Sequence, residues 1–290
     1  MTTPNGQDDR YRHETAKIIG TARSIGGRLA RVTESSSPTT LPREAVQRWR
    51  LTVARAALDP DQAQRSQQGA WEAALTASGL PIAGLDAPKP RARHAHAAPL
   101  SASIPGDAEL VDLWLVDRLP RWRVREALEH VLPAGHTLVD LQDVWLGEAA
   151  LPGRVTSSVY RATLADDVPQ ELVRAAAVGL LAAVTLPRER RKGDAAIPYD
   201  LRPFLEDIVV GTGDAGNVIR LILRHDPEKG VGRPDEVMAA LADALGRPIE
   251  VSGMVRERLV LGDPPATDDS PKPRGPRGRG VQKSRSFGGR

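Results

Sequence analysis

Hydrophobic residues recur at matching positions in two segments that lie 113 positions apart, Val124–Leu132 and Val237–Leu245. The matched pairs are Val124 with Val237, Ala127 with Ala240, Leu128 with Leu241, and Leu132 with Leu245. Their i, i+3, i+4 spacing predicts a helix with one buried face in each segment. A strand-like run follows each helix, at Thr137–Leu146 and at Pro248–Leu261. One supersecondary unit in two copies predicts a duplicated domain.

The remaining elements of the first half follow from the same patterns. Alternation of polar and apolar residues predicts a half-buried strand at Arg48–Arg55. Apolar residues at helical spacing predict a helix over Asp61–Ser78, which Gly79 ends. Two further strands are predicted at Arg91–Leu100 and Glu109–Val116.

The second half shows a similar order. Strands are predicted at Ser158–Leu164, Asn217–His225 and Val251–Leu261, and a helix at Pro169–Thr185. The segment Ile197–Val210 is interpreted as a strand or an irregular extended stretch.

Strand, helix, strand, strand, helix, strand is the order of a ferredoxin-like domain. The sequence therefore predicts an α+β protein of two tandem ferredoxin-like (βαββαβ) domains, residues 48–147 and 154–261. A flexible leader, residues 1–47, and a basic disordered tail, residues 262–290, are expected to flank them.

Composition narrows the possible chemistry. The chain has no cysteine, which excludes disulfides, thiolate metal sites and a cysteine nucleophile. No apolar run is long enough to span a membrane, and the first residues lack the apolar core of a signal peptide. We therefore expect a cytoplasmic protein that does not associate with membranes.

The positive charge is concentrated at the C-terminus. Seven cations and no acid lie in residues 271–290, whereas the chain as a whole has a net charge of +3. The cations are Lys272, Arg274, Arg277, Arg279, Lys283, Arg285 and Arg290. Arg-Gly steps of this kind resemble segments that bind RNA by neutralising phosphates and stacking on bases. The alternative is a tail that only increases solubility.

Two further groups of cations are candidate nucleic-acid contacts. The first comprises Arg48, Arg50, Lys89, Arg91 and Arg93, with Trp114 as a possible stacking partner. The second comprises Arg188, Arg190, Arg191 and Lys192, in a predicted loop. The alternative in both cases is a solvated charged surface.

The sequence predicts no catalytic residue, metal site or cofactor. His94 and His96 have the i, i+2 spacing of two ligands on one strand face, but no third ligand is evident. Asp200 and Arg202 are interpreted as structural, in a turn and an ion pair. Gly211–Gly216 lacks the lysine and helix of a phosphate loop and is interpreted as a hairpin turn.

Several motifs between Arg48 and Leu261 resemble the radical-SAM-linked protein family, a bacterial domain of unknown function found with B12-binding radical SAM proteins. They are Trp71–Leu75, Ser78–Ala83, Pro88–Arg91, Glu109–Leu115 and Tyr199–Pro203. Where that family carries histidine-containing motifs, this chain has Ala63-Gln64-Arg65 and Leu85-Asp86-Ala87. The resemblance implies association with radical SAM modification of RNA or ribosomal components.

Three functions follow as hypotheses. The first is a non-catalytic RNA- or ribosome-binding accessory protein of a radical SAM enzyme. The second is an RNA-processing endonuclease of tandem ferredoxin-like type, with His94 or a tyrosine as general acid–base. The third is a protein–protein adaptor.

Overall fold

The computed structural model describes residues 43–58, 64–165, 168–192, 195–213 and 216–263. All of them belong to one compact unit, Leu41–Arg290. The second unit, Met1–Thr40, falls outside the described residues, as do nearly all of the predicted leader and tail.

The first half forms four strands and two helices. These are β1 (Gln47–Arg55), α1 (Gln64–Ala77), β2 (His94–His96), β3 (Gly106–Leu115), α2 (Arg121–Glu129) and β4 (His136–Val144). The strands lie in the order β4-β1-β3-β2, each antiparallel to its neighbour. Trp49, Leu51 and Val53 of β1 belong to the hydrophobic cluster of the first half, as their alternation predicts, but Arg48 and Arg50 on the other face are buried too.

The second half forms seven strands and two helices. These are β5 (Val155–Leu164), α3 (Gln170–Ala182), β6 (Pro187–Lys192), β7 (Ala195–Asp200), β8 (Leu205–Gly213), β9 (Gly216–Asp226), β10 (Gly230–Val231), α4 (Pro234–Leu245) and β11 (Val251–Leu261). Four of the strands lie in the order β11-β5-β9-β8, and β6 and β7 form a separate two-stranded sheet.

The prediction of two tandem ferredoxin-like domains is wrong. All strands except β6 and β7 belong to one nine-stranded mixed sheet, which joins the two halves because β11 pairs in parallel with β3 at Arg256 and Gly106. Hydrophobic periodicity predicts the elements and their order along the chain. It carries no information on whether two groups of strands stay apart or join through a single pair of residues.

Three local predictions also differ from the structure. The run of cations that begins at Arg188 lies in strand β6 of a hairpin instead of in a loop. The segment Ile197–Val210 is divided between β7 and β8. The strand predicted at Arg91–Leu100 is reduced to three residues, His94–His96. Prolines at positions 90 and 99 explain the short strand, since proline has no N–H to donate to a neighbouring strand.

The two predicted repeat helices are confirmed as α2 and α4. Val124 and Leu128 of α2 are fully buried, and so are Val237 and Leu241 of α4. They contribute to two separate hydrophobic clusters, one in each half of the chain. None of the helices within the described ranges is long and apolar enough to cross a membrane.

Candidate ligand pocket

A cavity of about 440 Å³ opens between α1 and the sheet of the first half. We call it the histidine pocket. Its principal lining residues are Arg55, Trp71, Arg91, His94, His96 and His136. They come from β1, α1, the segment before β2, β2 itself and the start of β4, so the pocket forms only when these elements pack together.

Four aromatic rings gather at one side of the histidine pocket. The indole of Trp71 is almost completely buried, and its ring lies nearly parallel to that of His94, with ring centroids 6.4 Å apart. His96 and His136 meet the same indole edge-on, at centroid distances of 5.0 and 5.4 Å. The sequence spacing of His94 and His96 placed both on one strand face, and pairing of β2 with β3 turns that face towards α1.

Backbone carbonyls fix the tautomers of two of these histidines. His94 Nδ1 lies 3.0 Å from the carbonyl oxygen of Ala92, and His136 Nδ1 lies 3.2 Å from that of Ala134. A carbonyl can only accept, so each Nδ1 carries the proton and each Nε2 of the neutral ring is an acceptor.

The pocket disfavours protonation of two rings. Desolvation by the surrounding protein, together with the neighbouring rings of His94 and His136, lowers the pKa of His96. Desolvation and the cation of Arg55 likewise lower the pKa of His136. At neutral pH both rings are therefore uncharged and present flat, polarisable surfaces.

Arg55 is the buried cation of the pocket. Its side chain donates to the carbonyl oxygens of Leu100, Ser101 and Ile104, all in the loop before β3. Its Nε is buried and has no hydrogen-bond partner. Within the described ranges no carboxylate pairs with this guanidinium, and desolvation lowers the pKa of Arg55 from its usual value.

The two carboxylates at the pocket already have partners. Glu109 pairs with Arg256 of β11 through both of its oxygens. Glu72 of α1 accepts the backbone N–H of Ala92 at 2.9 Å, which ties the chain before β2 to the helix. Neither acid forms an ion pair with Arg55 or Arg91, although the charge of Glu109 partly opposes the desolvation that lowers the pKa of Arg55.

The arrangement is suited to binding a planar, negatively charged molecule more than to holding a metal. In the part of the chain that is described, no group of three or more histidine, aspartate or glutamate side chains could hold a metal ion. Aromatic rings and guanidinium groups supply stacking surfaces and anion contacts.

The first group of cations predicted to contact nucleic acid is divided between buried and exposed positions. Arg48 and Arg50 are buried and pair with Asp112, which is fully buried between them. Arg48 also donates to the carbonyl oxygens of Glu148 and Ala149, and Arg50 pairs with Glu148. These two guanidinium groups hold the sheet to the segment after β4 and do not face solvent.

Lys89, Arg91 and Arg93 are exposed, and we call residues 89–93 the basic segment. The guanidinium of Arg93 lies 4.6 Å from the centroid of the Trp114 ring. Trp114 is only 8% exposed, and Arg48 lies over the same ring at 4.8 Å. A base could not stack on Trp114 without displacing an arginine. The same ring holds the guanidinium of Arg93 in place at the surface.

The other predicted residues lie apart from the histidine pocket. Arg188 pairs with Asp243 of α4. The same strand, β6, also contains Arg190, Arg191 and Lys192. Asp200 and Arg202 make structural hydrogen bonds, but their side chains do not form the predicted ion pair with each other. Asp200 accepts the N–H groups of Leu186 and Arg202, and Arg202 donates to three carbonyl oxygens. The tail cations Lys272, Arg274, Arg277, Arg279, Lys283 and Arg285 fall outside the described residues.

Sequence reasoning missed Arg55, His136 and Glu109 as members of one site. Arg55 looks like the charged end of an amphipathic strand, and His136 like a loop residue before β4. The sequence indicated their proximity only indirectly. Arg55 and His136 lie at the ends of two predicted strands, and antiparallel pairing of β1 with β4 places them opposite each other.

Comparisons with known proteins identify a family and two distant structural likenesses. The family model described as "Uncharacterized protein conserved in bacteria (DUF2344)" matches residues 63–251. None of the curated proteins matches the sequence.

Two solved structures are distantly similar to this chain. A Cbf5–Nop10–Gar1 complex matches with 12% identity over 72% of this chain and a TM-score of 0.40. An archaeal box H/ACA Nop10–Cbf5 complex matches with 11% identity over 72% and a TM-score of 0.33. The chain spans about half the length of these structures, 49% and 47%. Likenesses this low assign neither fold nor function.

Proposed function

The chain belongs to the bacterial DUF2344 family, and from that premise we propose that it is an RNA-binding accessory protein whose contact surface is the basic segment. The proposal includes the tail cations as a second, electrostatic contact. It further places the protein beside a radical SAM enzyme that modifies RNA or a ribosomal component.

The observation that carries the proposal is the state of three cations in the basic segment. Lys89, Arg91 and Arg93 are exposed within five residues, and none pairs with an acidic side chain of the described residues. Unpaired surface cations in a row are the groups that neutralise successive phosphates of a nucleic-acid backbone.

The basic segment is held rigidly, which favours its use as a contact surface. Gly84, at a φ of +89°, allows the backbone to approach Arg91 closely, and its carbonyl oxygen accepts the Arg91 N–H at 3.1 Å. The Arg93 N–H donates to Ala83, and Glu72 accepts the Ala92 N–H. A segment ordered before binding loses less conformational entropy when it binds.

Two exposed arginines elsewhere in the chain differ from the basic segment because they already have acidic partners. Arg174 pairs with Glu171 at 2.8 Å, and Arg220 pairs with Glu257 at 2.7 Å. Phosphate binding at these positions would have to compete with a carboxylate. The three cations of the basic segment face no such competition from an acidic side chain of the described residues.

An exposed indole offers a stacking surface for an unpaired base. Trp122, at the start of α2, is 66% exposed and lies between Arg121 and Arg123 in sequence. Base stacking on aromatic side chains is typical of proteins that bind single-stranded RNA. Its exposure supports single-stranded RNA as the preferred form.

Association with a radical SAM enzyme is supported by the sequence motifs at Trp71–Leu75 and Tyr199–Pro203. The test is affinity purification of the full chain from its native cell, with and without nuclease treatment. Recovery of a radical SAM protein in both samples is expected. Recovery of no radical SAM protein in either sample would contradict this part of the proposal.

RNA binding is tested by fluorescence anisotropy with a labelled single-stranded RNA across a series of salt concentrations. We expect affinity to fall steeply with salt, and the double variant Lys89→Gln, Arg93→Gln to lower the slope of log K against log[salt] by about 1.4, at about 0.7 per phosphate contact. The double variant Arg174→Gln, Arg220→Gln removes the same charge from acid-paired positions and is the matched control.

Equal losses in both double variants would show that only net charge matters and would overturn the assignment of the basic segment. Absence of RNA binding by the full chain at low salt would overturn the proposal as a whole. Cleavage of the labelled RNA that disappears in His94→Ala would replace the accessory role with the endonuclease role.

A further inference from the structure

The histidine pocket has a buried cation that the proposed RNA surface does not use. Arg55 is 6% exposed and lines the pocket, its Nε has no acceptor, and its other donors face only carbonyl oxygens. Burying a guanidinium costs several kcal/mol unless an opposite charge accompanies it. In most buried arginines that opposite charge belongs to the protein itself.

We infer that the histidine pocket binds a nucleotide, whose base packs against the rings of Trp71, His94 and His96 and whose phosphate pairs with Arg55 and Arg91. The ligand chemistry is an aromatic ring joined to a phosphate. A nucleotide residue of a bound RNA and a free nucleotide both meet this description.

The aromatic side of the pocket favours a planar ring. Trp71 and His94 are within 20° of parallel, and His96 stands at 84° to His94. A base that enters here meets one ring surface and one ring edge, the two arrangements that aromatic pairs prefer. In the neutral rings of His94 and His136 the Nε2 atoms are acceptors, so exocyclic amino groups of the base have hydrogen-bond partners there.

The charged side of the pocket favours a phosphate. Arg55 is a buried residue of its lining, and Arg91 is an exposed one. Glu109 does not oppose an anion strongly because Arg256 holds both of its oxygens. The remaining acid, Glu72, is bound to the Ala92 N–H.

The size of the cavity agrees with this ligand class. Its volume of about 440 Å³ lies in the range of small-molecule sites, about 300 to 1,000 Å³. A bare phosphate would leave the aromatic surfaces unused, and a nucleoside would leave Arg55 without a counter-charge. Only the combination satisfies both sides of the pocket.

The inference for free nucleotides does not depend on the proposed RNA binding, whereas its RNA form rests on that proposal. If RNA is the source, the basic segment continues from the rim, because Arg91 belongs to both surfaces. One strand could then run along residues 89–93 and place a single nucleotide in the pocket.

The experiment is isothermal titration calorimetry on the full chain, with AMP, CMP, GMP and UMP as probes and with adenosine and inorganic phosphate as partial ligands. We expect at least one monophosphate to bind at least tenfold more tightly than either partial ligand. His94→Ala and Arg91→Ala should each weaken that binding about tenfold, and Arg55→Met should abolish it. Arg174→Ala, an exposed arginine on α3, is the matched control and should have no effect.

Circular dichroism determines whether Arg55→Met folds; if it does not, His94→Ala and Arg91→Ala decide the matter. Binding of no monophosphate at millimolar concentration, with RNA affinity unchanged in His94→Ala, overturns the inference and leaves the proposed function intact. Monophosphate binding without RNA binding would support the inference for free nucleotides and overturn the proposed function. RNA affinity reduced by His94→Ala, but not by Arg174→Ala, supports the pocket with RNA as its source.

Discussion

Two buried arginines hold the same loop, and the difference between them separates structure from candidate function. Arg256 donates to the carbonyl oxygens of Ala98 and Pro99, and Arg55 donates to those of Leu100, Ser101 and Ile104. Both side chains are almost completely buried. Arg256 has the carboxylate of Glu109 as its partner, whereas Arg55 has no such partner among the described residues.

Arg55 and Arg256 are similarly buried, so burial alone does not distinguish a structural arginine from one that binds a ligand. A buried cation with its own carboxylate completes a structural unit, and removing either member exposes the other to an unfavourable environment. A buried cation without a carboxylate partner produces a positive electrostatic potential in the cavity that it lines.

The largest effect is expected at Arg256. Arg256→Met leaves Glu109 without its partner at the joint between β11 and β3, and should lower the free energy of unfolding by about 3 to 5 kcal/mol. Urea denaturation followed by circular dichroism measures the change. The double variant Arg256→Met, Glu109→Met should recover much of that loss, and no recovery would mean that the ion pair is not the cause.

A smaller loss is expected at Arg55. Arg55→Met removes donors from three carbonyl oxygens but leaves no carboxylate unpaired, so the loss should be about 1 to 3 kcal/mol. The same urea titrations compare it with Arg256→Met. If Arg55→Met is the more destabilising, Arg55 has a structural role that the missing carboxylate does not reveal.

Acid should weaken the fold through His225, which lies near Arg256. Its Nε2 is 2.7 Å from Ser158 Oγ, and desolvation together with the Arg256 cation lowers the pKa of His225 to about 4, against the opposing influence of Glu206. Because the folded-state pKa lies below the usual 6.5, the unfolded chain takes up the proton first. Stability is therefore fully present above pH 6.5 and declines as the pH falls towards 4.

Denaturation midpoints measured between pH 7 and pH 4 test the effect, and His225→Gln should make them depend less on pH. An unchanged pH dependence in the variant would assign the effect to other groups, such as His96 and His136, whose pKa values are also lowered.

The smallest effect on stability is expected at Arg91. Its side chain is exposed and has no acidic partner among the described residues, so Arg91→Ala should change the free energy of unfolding by less than about 0.5 kcal/mol. Thermal denaturation measures this. A large loss would place Arg91 with the structural arginines instead of with the ligand contacts.

Much of the local structure could be predicted because it depends on short-range patterns. Strand β11 begins and ends as predicted, at Val251 and Leu261, and both repeat helices are present. The joint between the halves could not be predicted, since it depends on one pairing of residues 150 positions apart, Gly106 and Arg256.

The candidate site was less accessible to sequence reasoning than the fold. The exposure of the basic segment agrees with its composition, but the buried state of Arg48 and Arg50 does not. Their alternation with Trp49 and Leu51 indicates a solvent-facing side, and Asp112 on the neighbouring strand changes that side into an ion-pair layer. Which charges meet across a sheet depends on register, which composition does not encode.

The loop at residues 98–104 has a mechanical consequence. Leu100 lines the histidine pocket, and both Leu100 and Ile104 pack against the hydrophobic cluster of the second half. Because side chains from both halves hold this loop, the halves cannot melt independently of it. A small molecule that occupies the cavity should therefore raise the melting temperature of the whole sheet in one cooperative transition, including strands that it never touches.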